Sequence, residues 1–360
     1  MITAFARRAA IAVPAVLAAG ALLAGCSTST APSSPSASGG APVTGTVTLV
    51  THDSFHLPDD VLAAFTKQTG LKVDTVEFGD AGTLATKLSL TAGSPPGDVS
   101  FGVDNTFASR TLQAGVFQAY ASPAAANGAS TFGLPGEKRL TAVDYGDVCL
   151  NIDTRYFSEK KLPEPRSYDD LVDPKYRGLT VVEDPSTASP GLAFLLGTIA
   201  TDPNGWQNWW RRLAANDVSV TSDWNTAYSS EFSGSSGKGP RPIVVSYASS
   251  PAAEVGKDGS APATKALLDT CFRQVEYAGV LRGAKNVAGA QKFIDFLLSR
   301  QAQAAMPDSM YVYPVTRGVQ LPSAWAKYAP VPDKPASLTP QQIADGRDGW
   351  LRAWRQALGR

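Results

Sequence analysis

The sequence predicts an α/β protein of two lobes joined by strands that cross between them. Three observations carry this. Residues 46–115 alternate strand and helix signals, as a βαβ series with a parallel sheet does. A second set of strands and helices occupies the middle of the chain, and a strand at Gln274–Leu281 then leads back toward the first set. The 360 residues are also too many for one ordinary domain, and 43% hydrophobic content is enough for two cores.

The first strand is Thr46–Thr51, ending at His52-Asp53-Ser54-Phe55. A helix follows with Asp59 or Asp60 as its cap, Leu62 and Phe65 on its inner face and Gly70 as its stop. Leu71–Val76 is the second strand and runs into Glu77-Phe78-Gly79-Asp80-Ala81-Gly82. The next helix turns Leu84 and Leu88 inward, and Asp80 also reads as a cap for it near Thr83. Asp98–Val103 is the third strand, followed by Asp104-Asn105 and a short helix ending at Gly115. Ligands of such sheets sit beyond the carboxyl ends of the strands, here at His52–Ser54, Asp80–Gly82 and Asp104-Asn105.

Thr141–Ile152 is a further strand. Thr180–Val182 leads through Glu183–Ala188 to Ser189-Pro190, a cap and first-turn signature that points free N–H groups at whatever lies above the strand. Pro203–Asn216 reads as an amphipathic helix packed through Trp206, Trp209, Trp210 and Leu213. Ser233–Pro240 is a Gly/Ser loop without the Gly-Lys-Ser/Thr of a phosphate cradle. The chain then climbs from Ile243, Val244 and Val245 into Ser246, Tyr247, Ser249 and Ser250, which is how a strand ends at a cleft. Trp224 and Tyr228, four apart, share one helical face if a helix starts near Ser222 or Asp223. One long helix is expected over Val287–Met306, and a last one from Thr339 carries Trp350 and Trp354. The division into domains is therefore 46–143 with 277–360 for lobe 1 and 144–276 for lobe 2, with the ligand site between them.

Arg7 and Arg8 precede an apolar run, Ala9–Leu23, that ends in Leu23-Ala24-Gly25-Cys26. Residues 1–26 thus read as a secretory signal, and that ending resembles the bacterial lipoprotein box, in which the cysteine carries lipid; plain secretion is the alternative. Residues 27–45, nearly all Ser, Thr, Ala, Pro and Gly, read as a flexible tether. Removing the signal leaves 30 basic residues (32 less Arg7 and Arg8) against 32 acidic ones, near −2, which argues against nucleic acid as a partner. Cys149 and Cys271 form a disulfide in an oxidising exterior, or remain two buried thiols. Two histidines and no Cys-x-x-Cys argue against structural zinc.

Seven short stretches recur in order over nearly all of the body: Thr51–Phe55, Gly102–Asn105, Asp144–Gly146, Asp184-Pro185 with Ser189–Leu192, Trp224 with Ala227-Tyr228, Ser246-Tyr247 with Ser250-Pro251, and Tyr313–Val315. By these the chain resembles the thiamine-binding solute receptors of ABC importers, which share a periplasmic-binding-protein-like, type II-like fold. The resemblance implies ligand contacts at Asp80 and Ala81, at Ala188 and Ser189, at the stacking residue Trp224 and along Tyr247, Ala248, Ser249, Ser250 and Pro251. It also implies aromatic wall positions at His52 and Tyr311, where the family can have Tyr and Trp, while Ala253 replaces a tyrosine. The implied protein is a monomeric receptor, tethered to the membrane through Cys26, that binds thiamine or a phosphate ester of it. It passes this cargo to a permease and ATPase complex and carries no cofactor. Two rivals stand beside it: a polyamine receptor using Asp53, Asp80 and Asp104, and a thiamine-cleaving transferase with Cys149 as nucleophile.

Overall fold

A computed structural model describes residues 45–235 and 238–359; the signal, Cys26 and most of the tether lie outside the described residues. The chain runs β1 (Gly45–Thr51), α1 (Asp59–Thr69), β2 (Leu71–Glu77), α2 (Ala81–Leu90), β3 (Val99–Asp104) and α3 (Ala108–Gln113). It continues through β4 (Thr141–Asp153), α4 (Thr154–Lys160), β5 (Thr180–Glu183), α5 (Ser189–Thr201), α6 (Trp206–Ala215), β6 (Ser219–Thr221) and the short α7 (Trp224–Thr226). A π turn, Ala227–Glu231, leads to β7 (Ile243–Tyr247), α8 (Ser250–Ala253) and β8 (Thr264–Val280). Last come α9 (Val287–Leu297), α10 (Arg300–Met310), β9 (Tyr313–Pro314), α11 (Ser323–Tyr328) and α12 (Pro340–Ala357).

The strands form one sheet in the order β2-β1-β3-β8-β4-β7-β5-β6, with β9 paired to β4. β1 is parallel to β2 and β3, and β5 is parallel to β6 and β7. Between these two parallel sets lie β4 and β8, long and antiparallel to each other, which carry the chain across the molecule. The two-lobed α/β class is therefore as expected, with the carboxyl ends of both parallel sets facing one gap. β8 begins ten residues before the expected Gln274, at Thr264, so the crossing ladder extends further into the second parallel set.

The crossing strands are stapled where their register slips, between Val148 and Leu150, by a disulfide from Cys149 to Cys271. The Arg273 guanidinium on β8 pairs with Asp147 on β4 at 2.6 Å and lies over the Tyr145 ring, itself stacked between Phe132 and Tyr313.

Several local expectations shift. Pro58 precedes α1, and Asp59 and Asp60 fall in its first turn, where they complement the helix dipole instead of capping it. Gly70 stops the helix in a left-handed conformation as expected. The long C-terminal helix is two helices, because the Ser299 hydroxyl accepts from the Ala302 amide and starts α10 anew. Trp206, Trp209, Trp210 and Leu213 are buried, and Trp210 packs edge-on against Trp354 of α12 at 5.8 Å. α12 thereby lies against α6 as well as α3. Among the described residues no helix is long and apolar enough to cross a membrane.

Candidate functional site

A cavity of about 270 Å³ opens where the strand ends of the two parallel sets meet, near the lower end of small-molecule sites at roughly 300–1,000 Å³. β1 delivers His52 and Ser54 to it, and the start of α2 delivers Asp80 and Ala81. From the other side come Ser189 and Pro190 at the start of α5, Trp224 and Tyr228 after β6, and Tyr247 at the end of β7. Glu276 on β8 and Tyr311 at the end of α10 complete the wall with Glu254.

The aromatic wall is built around Trp224. The Asp223 carboxylate caps α7 by accepting from the Thr226 amide at 2.7 Å, which sets Trp224 at the first helical position. Its ring stacks on Tyr228 at 5.0 Å and 14°, and meets Tyr247 and Tyr311 edge-on at 6.3 and 6.1 Å. The indole N–H donates to the Ser246 hydroxyl at 2.9 Å, and Ser246 in turn bonds Ser250 at 2.8 Å. Tyr311 ends α10 with φ of 59°, a left-handed conformation unusual for a residue with a side chain, and its carbonyl accepts from the Ser249 hydroxyl. Backbone held in that region costs about 1–3 kcal/mol, so packing and this bond must hold it.

Asp80 lines the same cavity as Trp224 and is bonded to its backbone. Its Oδ1 accepts from the amides of Ala81 at 2.6 Å and Ser189 at 3.0 Å, and its Oδ2 from the Trp224 amide at 3.1 Å. Burial pushes its pKa up to about 6, although those bonds and His52 favour the charged form. Beneath it, His52 Nε2 lies 3.3 Å from Glu276. The Ser54 amide donates to His52 Nδ1, so the neutral ring carries its proton on Nε2, toward Glu276. Burial works against a charge on His52, but Glu276, with Asp80 and Asp53, outweighs it and raises the pKa. Asp104 is buried behind Ser189, whose hydroxyl donates to it, and burial raises its pKa as it does that of Asp144 beside Glu276. The site is a ring-lined gap over a carboxylate-rich floor, an arrangement that attracts a flat cation.

A model of the family described as bacterial extracellular solute-binding protein matches residues 94–335. The chain belongs to that family. A thiamine-binding periplasmic protein of Salmonella typhimurium is 31% identical over 327 residues, 87% of this chain and 94% of the relative. The iron uptake protein A1 of Synechocystis is 24% identical over 81% of this chain and 82% of its own. The solved structure of a periplasmic thiamin binding protein superposes with a TM-score of 0.77 at 26% identity, over 89% of this chain and 98% of that one.

Of the positions expected to touch ligand in this solute-binding protein, His52, Asp80, Ala81, Ser189, Trp224, Tyr247 and Tyr311 line the cavity. Ala188, Ala248, Ser249, Ser250 and Pro251 do not; they are buried behind it. Ser249 and Ser250 act from there, by holding Tyr311 and the Ser246 partner of Trp224. Ser189 is not the cap of α5, a position that falls to Ala188, because its hydroxyl is spent on Asp104. Cys149 is buried and bonded to Cys271, so the thiol that a cleaving transferase would need is not free. Asp53 and Asp104 do not line the cavity. Among the described residues no group of three His, Cys, Asp or Glu side chains is placed to hold a metal ion.

Glu254 and Glu276 line the cavity without a signal in the sequence. Nothing around Glu254 in sequence marks it, and Glu276 sits within a crossing strand where alternation alone gives no functional sign. The motif glycines have a physical role that the pattern does not state. Gly102, at φ of +101°, leaves the space that the His52 ring fills, and a Cβ on Gly146 would come within 2.8 Å of the Tyr247 ring.

Proposed function

We propose that this solute-binding protein captures thiamine in the cavity and delivers it to an ABC importer. The observation that carries the reading is that Trp224 and Asp80 line one cavity, joined by the Trp224 backbone amide donating to Asp80 Oδ2. Thiamine joins a permanent thiazolium cation to an aminopyrimidine. Trp224, Tyr247 and Tyr311 offer faces and edges to the cation, at about 0.5–2 kcal/mol per desolvated contact. A carboxylate has about four acceptor positions, and three of those on Asp80 are taken, so one remains for the exocyclic amine. Nanomolar affinity needs about 12 kcal/mol, so burial of both rings must supply most of the rest.

Calorimetry with thiamine and with spermidine tests this. One thiamine per chain is expected; a strong spermidine signal with none for thiamine would replace the reading with the polyamine one, which the carboxylates of Asp80, Glu254 and Glu276 favour.

The same reading includes a diacylated Cys26 as membrane anchor, residues 27–45 as tether, and a monomer that docks on its permease. Thiamine is cargo, with no cofactor and no catalysis. The lobes, 46–143 with 277–360 and 144–276, open and close about β4 and β8. Retention of the chain in the membrane fraction, and its release by Cys26→Ala, checks the anchor.

A further inference from the structure

We propose that the gap between α3 and α12 is a second binding site, for a tetrahedral oxyanion such as phosphate or sulfate, held by the guanidinium groups of Arg110 and Arg347. This gap shares no lining residue with the interlobe cavity, and the inference does not depend on the identity of the cargo.

α12 buries a stripe of Ile343, Arg347, Leu351 and Trp354, at the four- and three-residue spacing of one helix face. Three of these are apolar, and the pattern calls for a fourth. Arg347 stands there instead, 5% exposed, with its guanidinium over the Phe107 ring at 5.1 Å. A buried charge is costly unless it is paired and its donors are satisfied. Arg347 is poorly served on both counts. Its Nη1 donates to Asp348 at 3.0 Å, but that carboxylate is 78% exposed, so water screens the attraction. Its buried Nε–H has no hydrogen-bond partner. Burial lowers its pKa, and the neighbouring Arg110 adds to this, while Asp348 and Asp104 work the other way.

Arg110 on α3 lines the same gap, and among the described residues its side chain has no hydrogen-bond or ion-pair partner. The gap has a volume of about 220 Å³, and among the described residues Asp348 is the one acid in its lining. Ser109 and Gln113 add neutral donors. Two like charges beside a single exposed carboxylate leave an excess of positive charge that an oxyanion neutralises. The planar fork of arginine presents parallel donors to the oxygens of phosphate or sulfate. An anion held there ties α12 to α3, and α12 also carries Trp354 against Trp210 of α6.

The test titrates phosphate and sulfate into the purified protein at fixed pH and ionic strength, read by calorimetry and by Tm, with chloride as the control. One saturable site is expected, with a Tm that rises with either oxyanion and not with chloride. Arg110→Gln removes one guanidinium from a partly exposed position, and Ser109→Glu builds a carboxylate into the same gap; neither residue lines the interlobe cavity. Each variant, folded by circular dichroism, should bind phosphate at least about tenfold more weakly, the loss expected for one charge-assisted hydrogen bond. A titration that does not saturate, a Tm that rises equally with chloride, or a phosphate affinity unchanged in either variant overturns the site.

Discussion

At the scale of single residues, the site depends on two side chains that no local rule brings together. Trp224 supplies the largest ring face, and Trp224→Ala is expected to weaken thiamine binding by about 2 kcal/mol, some thirtyfold, with its fluorescence quench lost. A titration of the variant that matches the wild type would remove Trp224 from the site. Asp80 gives a pH signature. Its folded pKa of about 6 lies above the ordinary 3.8, so between these values the folded chain holds more protons than the unfolded one. Stability is therefore lost as pH rises through that window, by roughly 3 kcal/mol for two units. His52, also raised, contributes in the same direction: its stabilisation is complete below 6.5 and is lost as pH rises through its folded value. The ligand-free chain should melt higher at pH 5 than at pH 7, while thiamine binds more weakly there because Asp80 is protonated. Asp80→Asn should flatten both trends; an unchanged slope in the variant would assign the effect to His52, which neighbouring carboxylates raise, or to Asp104, Asp144 or Glu183, which burial raises.

At the scale of elements, most of what local chemistry dictates is present in the structure. The alternation of Thr46–Thr51, the Gly70 stop and the start of the last helix at Thr339 each form where the sequence places them, and the structure adds a capping box between Thr339 and Gln342. Failures occur where two local signals compete. Ser299 divides a helical run whose apolar periodicity continues through it, and a hydroxyl that caps α10 outweighs that periodicity. Ser189 has the sequence of a cap, but the buried Asp104 captures its hydroxyl. The staple from Cys149 to Cys271 belongs to this scale too, since it clamps β4 to β8 where their ladder slips. It closes a loop over 122 positions, so replacing both cysteines by serine should cost about 2–5 kcal/mol and lower Tm. Thiamine binding should survive below the new Tm, because neither sulfur lines the cavity.

At the scale of the whole molecule, the two sides of the gap are bonded to each other directly. Asp80 accepts the Ser189 and Trp224 amides, the Ser189 hydroxyl donates to Asp104, the Thr83 amide donates to the Thr187 carbonyl at 3.1 Å, and Ser249 holds the Tyr311 carbonyl. Gly82 permits the contact at Thr187, since a Cβ there would come within 2.6 Å of the Thr187 carbonyl oxygen. Such contacts describe a closed cleft. Thiamine, bridging the same surfaces, should stabilise this state over the unfolded one by about 4 kcal/mol at a thousand times its Kd. A rise in Tm of about 5–10 °C is expected, and spermidine at equal concentration should give none. A Tm indifferent to thiamine would leave the closed cleft without its ligand.

The sequence by itself determined the α/β class, most of the order of strands and helices, and the strand ends that line the cavity, with Trp224 and Tyr247 beside them, while Tyr311 came only through the family resemblance. The first of these follow from short-range chemistry: alternation, caps, stops and the change from apolar to polar at the end of β7. Only the tertiary structure decided that Asp80 binds amides 109 and 144 positions away, that Glu254 and Glu276 share its cavity, and that Ser249, Ser250 and Ala248 stand behind the wall. The reason is that each of these depends on how the two parallel sets meet across β4 and β8. No stretch of sequence encodes that approach locally, because the groups that form it come from opposite halves of the chain.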